Sequence, residues 1–437
     1  MTGRNAFNSF LENLKAASEK LSDIRTGSNT KYSMSEIMLS AYSCFHMQSQ
    51  SFLSHQNLME KTQGKNNARS LFGIDKIPTD NHIRTHLDEQ TPRILEDVYI
   101  KSLQWLDENN KLDTFKGIND NLLVALDGTE FFTSDKIGCN NCSTKKQKDG
   151  SVRNFHSAIT PAIVAINNSN VIPLPAEFIT PQDGHDKQDC ENAAGKRWLG
   201  RHKDILSDYK ITILGDDLYS RVPLCESVLE AGFNYLFVCK YTSHKYLKEW
   251  IDDCDSMKDL SEFTEKVKKG KKSQKYIYRF RNNVPLNGSK NSIEVNWIEL
   301  IIKNETGKTT SRFSFITNHT VTRDNVKAFI ESGRCRWKIE NENNNTLKTK
   351  GYNIEHNYGH GAKNLANFLL SLNILSFLCH TMMDLCDKRY KLIRKTLPTR
   401  RKFFTDIEAL TTYMYFDDWN KLMIFMIRGL ELEDPGG

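Results

Sequence analysis

Three acidic residues stand where the sequence can hold a carboxylate in a fixed position. Asp127 and Asp216 each follow a short apolar run, in LLVALD and in ITILGD, that is typical of a buried strand. Glu340 lies in SGRCRWKIENENNNTLK, which the pattern predicts to be a helix. A strand end fixes the carboxylate, while the loop after it leaves the side chain open to a substrate. Two such aspartates and a helical glutamate predict an all-oxygen site for Mg²⁺ or Mn²⁺, because these cations prefer carboxylate and water ligands.

A metal site of this kind would act on phosphodiesters. Two divalent ions about 4 Å apart would activate a water or a 3′-hydroxyl and stabilise the leaving oxygen during in-line attack at phosphorus. Each aspartate alone has a plainer explanation: Asp127 can open a turn, and Asp216 or Asp217 can cap the next helix. The presence of all three carboxylates, with Arg336 and Trp337 beside the glutamate, favours the metal interpretation.

The hydrophobic pattern predicts an α/β fold with five regions that would position these residues. Residues 1–115 are predicted to be helical and to bind DNA, with a helical packing domain as the alternative. Strands alternating with helices predict that 116–240 and 321–385 form the two parts of a mixed sheet with flanking helices, the second carrying the glutamate. Between them, alternating segments separated by Asn-Gly-Ser and Glu-Thr-Gly turns predict an inserted antiparallel β subdomain at 241–320. Residues 386–437 are predicted to be a basic helical region.

The expected elements of the mixed sheet follow from the lengths of the apolar runs. Strands are predicted at LLVALDG and at 155–166, 170–179, 210–215 and 234–240, and helices at 186–205 and 221–231. A strongly apolar helix at 364–383 is predicted to pack under the core.

Composition restricts the class of protein and its partners. The chain has 437 residues, a formal net charge of +6 and ten cysteines. Lysine-rich runs such as KKQK and KVKKGKK suit a polyanionic partner, although solvated surface is the commoner explanation of any one run. The start MTGRNAFNSFLENLK has no apolar signal-peptide core, and polar residues interrupt the longest apolar stretch, Phe368–Leu378. These features predict a cytoplasmic protein without a membrane span, in which most cysteines are buried thiols.

The segment Asn121–Lys348 resembles the cut-and-paste DDE transposases of bacterial insertion sequences. LDGT at Asp127 and DDLY at Asp216 resemble the settings of the family's two aspartates. RWKIE, which begins at Arg336 and ends at Glu340, resembles the setting of the family's glutamate.

Two positions depart from the family's signature around the glutamate, Tyr-x2-Arg-x3-Glu-x6-Lys. Gly333 stands where tyrosine is expected, and Leu347 stands where lysine is expected, with Lys348 one residue later. The register therefore stays open, with Glu342 as the alternative glutamate and Asp217 as the alternative second aspartate.

The resemblance implies an RNase H-like core with a β subdomain inserted before the glutamate. It implies metal-dependent cleavage at the ends of an insertion sequence and strand transfer, with Asp127, Asp216 and Glu340 as the catalytic triad. The implied partners are the terminal inverted repeats of the element, target DNA on the bacterial chromosome, and a second copy of the chain in a synaptic complex.

Five further residues are predicted to contact DNA. Arg336 and Lys348 would hold phosphates near the scissile bond. Trp337 would stack on a displaced base, with burial in the core as the alternative. Lys268 and Lys271, in the lysine loop of the inserted subdomain, would contact phosphates and contribute to the salt dependence of binding.

Two other functions fit part of the pattern. A haloacid-dehalogenase-like phosphatase would share LDGT and GDD, but its nucleophile should stand two residues before Asp127, where Ala125 cannot form a phosphoaspartate. A transposase-derived DNA-binding protein that has lost cleavage would not require all three carboxylates. The departures at Gly333 and Leu347 keep this second alternative open.

A Cys-x2-Cys pair predicts a different kind of site. Cys139 and Cys142 have the spacing of zinc ligands, and His185 and Cys190 would complete a Cys₃His tetrahedron, with His156 competing for the histidine position. A structural Zn²⁺ ion and a pair of reduced thiols without metal are the two interpretations.

The motif HNYGHG places His356 and His360 four residues apart. Gly359 and Gly361 favour a turn before the apolar helix over a zinc-binding helix, so a phosphate contact is preferred to metal ligation here.

Overall fold

The computed structural model describes residues 5–26, 30–181, 190–269 and 272–436. The helices are α1 (Ala6–Ser18), α2 (Met34–His46), α3 (Phe52–Met59), α4 (Thr62–Asn67), α5 (Asp80–Asp88), α6 (Glu96–Glu108), α7 (Glu191–His202), α8 (Val222–Glu230), α9 (Lys245–Ser256), α10 (Val326–Cys335), α11 (Asn345–Thr349), α12 (Leu365–Cys386), α13 (Lys388–Thr396), α14 (Arg400–Tyr413) and α15 (Trp419–Gly429). The strands are β1 (Leu122–Ala125), β2 (Gly128–Ser134), β3 (Ser143–Lys146), β4 (Val152–Ile159), β5 (Ala162–Ala165), β6 (Asn168–Pro173), β7 (Glu177–Ile179), β8 (Ile211–Gly215), β9 (Asn234–Val238), β10 (Ser261–Lys269), β11 (Lys272–Pro285), β12 (Glu294–Lys303) and β13 (Thr309–Thr317).

A nine-stranded mixed sheet forms the centre, with strand order β10-β11-β12-β13-β9-β8-β1-β5-β6. β1 is antiparallel to β5 and parallel to β8, so Val124 is paired with Ile163 on one side and with Ile213 on the other. Every residue of β1 and β8 is buried, as is usual for strands covered on both faces. The predicted α/β class with a large mixed sheet is confirmed. Because β1 and β8 are adjacent and parallel, Asp127 and Asp216, which follow their carboxyl ends, lie at the same edge of the sheet.

The region 241–320 begins with a helix, α9, which the sequence pattern did not predict. Its four strands form antiparallel hairpins, β10 to β13, and do not make a separate sheet. β13 pairs with β9, where Ile316 is opposite Phe237, so the hairpins extend the central sheet. A strand edge left open by β9 explains this arrangement, because its unpaired N–H and C=O groups are satisfied by the next strand.

Two segments predicted as single strands are each divided. The segment 155–166 contains the end of β4 and all of β5, which belong to different sheets. Pro161 explains the break, because it lacks a backbone N–H for the ladder and restricts the conformation of Thr160. In the same way, 170–179 divides into β6 and β7 around Pro175. β4 pairs with β2, β3 and β7 in a small four-stranded sheet.

α12 is the buried centre of a helical layer built by both ends of the chain. In the described part of the chain it is the one helix long and apolar enough to cross a membrane, yet 89% of its apolar window, of mean hydropathy 1.5, is buried inside the protein, as in a core helix. α1, α2, α5 and α6 pack on it from one end of the chain and α13 from the other. The ends also contact each other: the rings of Phe7 and Trp419 stack 5.0 Å apart, and the Asn67 amide donates to the carbonyls of Thr411 and Met414.

Candidate active site

The two predicted aspartates are held by short backbone links at the ends of their strands. The ladder between β1 and β8 continues one residue beyond β1, where Leu126 N–H donates to Leu214 C=O at 2.9 Å. The carbonyl of Asp127 then accepts the N–H of Thr160 at 3.0 Å. After β8, the Asp216 carboxylate accepts the N–H of Leu218 at 2.8 Å and fixes the start of the next turn.

Glu340 lies in a π-helical turn, Ile339–Asn344, between α10 and α11. π-helical turns are rare and often occur at functional sites. The buried Lys338 anchors this turn, because its ammonium donates to the carbonyls of Ile166 and Asn168 at 2.9 and 2.7 Å. The glutamate is therefore attached to the hairpin of β5 and β6, next to β1.

The carboxylates influence one another strongly. Burial, followed by the negative charge of Glu340, raises the pKa of Asp127 to about 7, and the charges of Glu191 and Asp216 act in the same direction. The guanidinium of Arg336 opposes the shift in pKa without cancelling it. Burial and then the charge of Asp216 also raise the pKa of Glu191. Four carboxylates from distant parts of the sequence are thus close enough to influence one another electrostatically.

Glu191 is the member that the sequence pattern did not reveal. It is the first residue of α7, and the predicted helix 186–205 contained it as an ordinary helical acid. A Cβ atom built at Gly128 would lie 2.4 Å from the Glu191 carboxyl, so glycine directly after Asp127 leaves the room that this side chain occupies. The hydroxyl of Tyr219 donates to Glu191 at 3.4 Å. The glycine in LDGT was the signal available in the sequence.

Asn344 supports Asp127 from the end of the π-helical turn. Its amide nitrogen donates to Asp127 Oδ2 at 2.9 Å, and its amide oxygen accepts the hydroxyl of Thr160 at 2.6 Å. Thr160 is the residue whose N–H binds the backbone of Asp127. The two residues therefore fix both the backbone and the carboxylate of Asp127.

The alternative aspartate, Asp217, has a different environment. Its carboxylate accepts the N–H of Lys240 at 2.6 Å and the hydroxyl of Ser243 at 2.5 Å, and it joins the loop after β8 to the end of β9. Asp216, not Asp217, contributes to the raised pKa values of Asp127 and Glu191. These contacts favour Asp216 as the second member of the carboxylate group.

The chain matches no protein-family model and no curated protein. Among solved structures it is similar to the piggyBac transposase, in a cryo-EM structure of the synaptic complex with hairpin DNA. The similarity has 8% sequence identity and a TM-score of 0.41, and it covers 99% of this chain and 84% of that chain. A TM-score this low carries no argument about function.

The predicted DNA contacts around the glutamate occupy different environments. Arg336 donates to Glu340 Oε1 at 2.7 Å, and its side chain is 18% exposed. Trp337 is 46% exposed, so burial in the core is wrong for this residue. Lys348 forms an ion pair with Glu355 at 2.8 Å.

The two departures from the family signature are explained by packing. A Cβ atom at Gly333 would lie 2.5 Å from the ring of Phe315, so a tyrosine could not fit at this place in α10. Leu347 is fully buried, whereas Lys348 reaches the surface. Lys268 is exposed on the edge strand β10, and Lys271 lies outside the described residues.

The cysteine pair has a different set of neighbours from the one predicted. Cys139 and Cys142 lie with His156 and His360, and one ligand atom from each of the four falls within 4.8 Å of the others. Cys190 is outside this group, at the exposed start of α7, and His185 lies outside the described residues. The turn that the two glycines predict brings the ring of His360 to the cysteines, although the sequence pattern preferred a phosphate contact for this residue.

Proposed function

We propose that this protein is a DNA transposase that cleaves and joins phosphodiesters with divalent metal ions held by Asp127, Asp216 and Glu340. The observation that carries the proposal is that Asp127 and Asp216 follow two adjacent parallel strands, and that Glu340 and Glu191 lie close enough to change the pKa of Asp127. Burial, and then the negative charges of Glu340, Glu191 and Asp216, raise the pKa of Asp127 to about 7, and the guanidinium of Arg336 opposes this shift.

The donor set fits a hard divalent cation. All four acidic side chains offer oxygen, and Mg²⁺ and Mn²⁺ favour such ligands while they keep sites for water and phosphate. Ions bound there would supply Lewis-acid activation of a water or 3′-hydroxyl and stabilisation of the leaving oxygen. A group of carboxylates with too little positive charge around it is what such a site requires before the cation binds.

The chain's own residues would orient the reacting groups. Asn344 holds Asp127 in one orientation, and Arg336 does the same for Glu340. Arg336 can also present its remaining N–H groups to a phosphate, and the exposed ring of Trp337 can stack on a base displaced near the cut. Lys348 can exchange Glu355 for a phosphate, because its ion pair lies at the surface.

An RNase H-like core is the arrangement that we propose for β6-β5-β1-β8-β9. β5 is antiparallel to its two neighbours, β6 and β1, while β8 and β9 run parallel to β1, and the two aspartates follow β1 and β8. The substrate that we propose is the pair of terminal inverted repeats of a bacterial insertion sequence, bound by two copies of the chain and then joined to target DNA. Lys268, on β10, and Lys271 would contact the phosphates of that DNA.

Cleavage of a supercoiled plasmid that carries the gene with its native flanking DNA tests the proposal. The wild-type protein should nick and excise in Mg²⁺ or Mn²⁺ and not in EDTA. Asp127→Asn, Asp216→Asn and Glu340→Gln should each lower the rate by about 10³-fold or more while DNA binding is kept, because these groups act as a unit. Glu191→Gln should lower it by about 10²-fold, since one ligand of the ions is weakened.

Glu342→Gln is the matched control, because it removes a neighbouring acid in the same turn. It should keep the wild-type rate. DNA binding without cleavage by the wild-type protein would instead indicate a descendant that has lost catalysis. Full activity of Asp216→Asn would transfer the role to Asp217, and full activity of Glu340→Gln would transfer it to Glu342.

A further inference from the structure

A compact group of two thiols and two imidazoles lies at the small four-stranded sheet and takes no part in the proposed chemistry. Cys139 and Cys142 come from the loop between β2 and β3, His156 from β4, and His360 from the turn before α12. The last of these is more than 200 positions away from the other three, so no local motif brings the group together.

The distances within the group match the edges of a zinc tetrahedron. Bonds of about 2.3 Å to sulfur and 2.05 Å to nitrogen give S···S, S···N and N···N separations of about 3.8, 3.6 and 3.3 Å. The sulfur atoms of Cys139 and Cys142 are 3.9 Å apart, and they lie 3.6 and 3.4 Å from His156 Nε2. His360 Nε2 lies 3.3 Å from the Cys142 sulfur and 3.1 Å from His156 Nε2. A sulfur separation of 3.9 Å is far longer than the bond of about 2.05 Å in a disulfide.

Hydrogen bonds prepare these atoms for a metal. The Nδ1 atom of His360 lies 2.8 Å from the carbonyl of Gly361, which only accepts, so Nδ1 carries the proton and Nε2 offers its lone pair to the group. The N–H of Cys139 donates to the sulfur of Cys142 at 3.4 Å.

Aromatic rings pack against the two histidines, and hydrogen bonds hold the turn that carries His360. The ring of Phe132 lies 4.4 Å from that of His360, and Phe131 stacks on His156 at 5.7 Å. The turn is held from its other side by Asp88, whose carboxylate accepts four successive N–H groups from Ala362 to Leu365 at 2.9 to 3.0 Å. His360 is therefore presented by a rigid segment.

From this geometry we infer that Cys139, Cys142, His156 and His360 bind one structural Zn²⁺ ion. The ion fastens the turn before α12 to β4 and to the loop that follows β2, the strand that starts directly after Asp127. The site joins the helical layer to the small four-stranded sheet, whose strand β2 begins directly after Asp127.

Metal analysis of the purified full-length chain tests the inference without any DNA substrate. The wild-type protein should contain about one zinc per chain, and Cys142→Ser and His360→Gln should each reduce this to below about 0.1. Cys190→Ser, which removes a cysteine outside the group, should retain the zinc. Retention of zinc by the double variant Cys142→Ser, His360→Gln would overturn the assignment.

A measurement on the wild-type protein guards against variants that do not fold. After exchange with Co²⁺, the protein should show the intense d–d and thiolate-to-cobalt absorption bands of a tetrahedral site with two sulfur ligands, and Zn²⁺ should displace them. Chelation should also lower the Tm. A fully reduced, folded protein that binds neither Zn²⁺ nor Co²⁺ would show that His156 simply donates a hydrogen bond to His360, and would overturn the inference. Zinc binding remains testable even if the protein cleaves no DNA.

Discussion

The protein holds acidic side chains in two environments that differ in how fully their negative charge is compensated. Beside the carboxyl ends of β1 and β8, the charges of Glu340, Glu191 and Asp216 raise the pKa of Asp127, and the guanidinium of Arg336 opposes them. In the extended part of the sheet, a single glutamate, Glu299, has no exposed side-chain surface and is surrounded by donors.

The negative charge of Glu299 is compensated by the donors around it. Glu299 accepts from Arg279 and from Arg312, each at 3.2 Å, and from the hydroxyl of Tyr241 at 2.8 Å. Its charge also helps burial to raise the pKa of that tyrosine. A buried carboxylate with this many donors fixes the packing of three strands. The comparison teaches that burial of an acid alone does not indicate function, and that several interacting acids with few donors make the better candidate for a functional site.

The largest effect on stability should come from removing a donor from Glu299. Arg279→Met should lower the free energy of unfolding by about 3 to 5 kcal/mol, because it leaves the buried Glu299 with less compensation. Urea unfolding of the metal-free protein measures this. Arg281→Met is the matched control, because Arg281 lies on the same strand as Arg279 but forms a much more exposed ion pair, with Asp259. This substitution should lower the free energy of unfolding by less than about 1 kcal/mol. Equal losses in the two variants would remove the distinction.

Removal of charge at Asp127 should have the opposite effect and stabilise the metal-free protein. Asp127 has a pKa of about 7 in the folded chain and about 3.9 when unfolded, so the folded state holds more protons between these values. The stability of the metal-free protein therefore falls as pH rises from about 4 to 7. Asp127→Asn should raise the free energy of unfolding by about 2 kcal/mol at pH 8 and change it little at pH 4.

Two further measurements test whether the stabilisation of Asp127→Asn comes from the loss of an uncompensated metal-binding carboxylate. Mg²⁺ should raise the Tm of the wild-type protein at pH 8, and it should do so much less in Asp127→Asn, which has lost a ligand. Glu299→Gln should lower stability at the same pH, because it removes charge where charge is compensated. A destabilised Asp127→Asn protein would mean that the carboxylates at the sheet edge are held by donors in the same manner as Glu299.

A smaller effect should come from the support of Asp127. Asn344→Ala removes the donor to Oδ2 without removing a carboxylate, so the rate of cleavage at saturating DNA should fall about tenfold with little change in KM. The acidic limb of its pH–rate profile should also move toward higher pH, because a donor to the ionised carboxylate is lost. Asn341→Ala, at an exposed position in the same π-helical turn, should change neither quantity. A loss of stability with an unaltered pH profile would assign Asn344 a purely structural role.

The sequence predicted those parts of the fold and site whose structure depends on a single segment of the chain. The strands that end before Asp127 and Asp216 follow from continuous apolar runs, and the hairpins of the extended sheet follow from their turns. Contacts between distant segments were hidden. Glu191 and His360 each reach their neighbours only when distant strands and turns pack together. Pro161 divides one predicted strand between two sheets, and the existence of the second sheet could not be read from the segment itself.

The burial of α12 between both ends of the chain has a consequence for synthesis on the ribosome. The first hundred residues form helices whose apolar faces are completed by a helix that starts about 250 positions after their end, which takes roughly 12 to 50 s at ordinary rates of translation. During that interval their apolar surface has no partner from the rest of the layer, and holding chaperones are the agents that cover such surface. A nascent chain that stopped just after Glu340 would contain all four carboxylates and yet lack the helix on which its own beginning must fold.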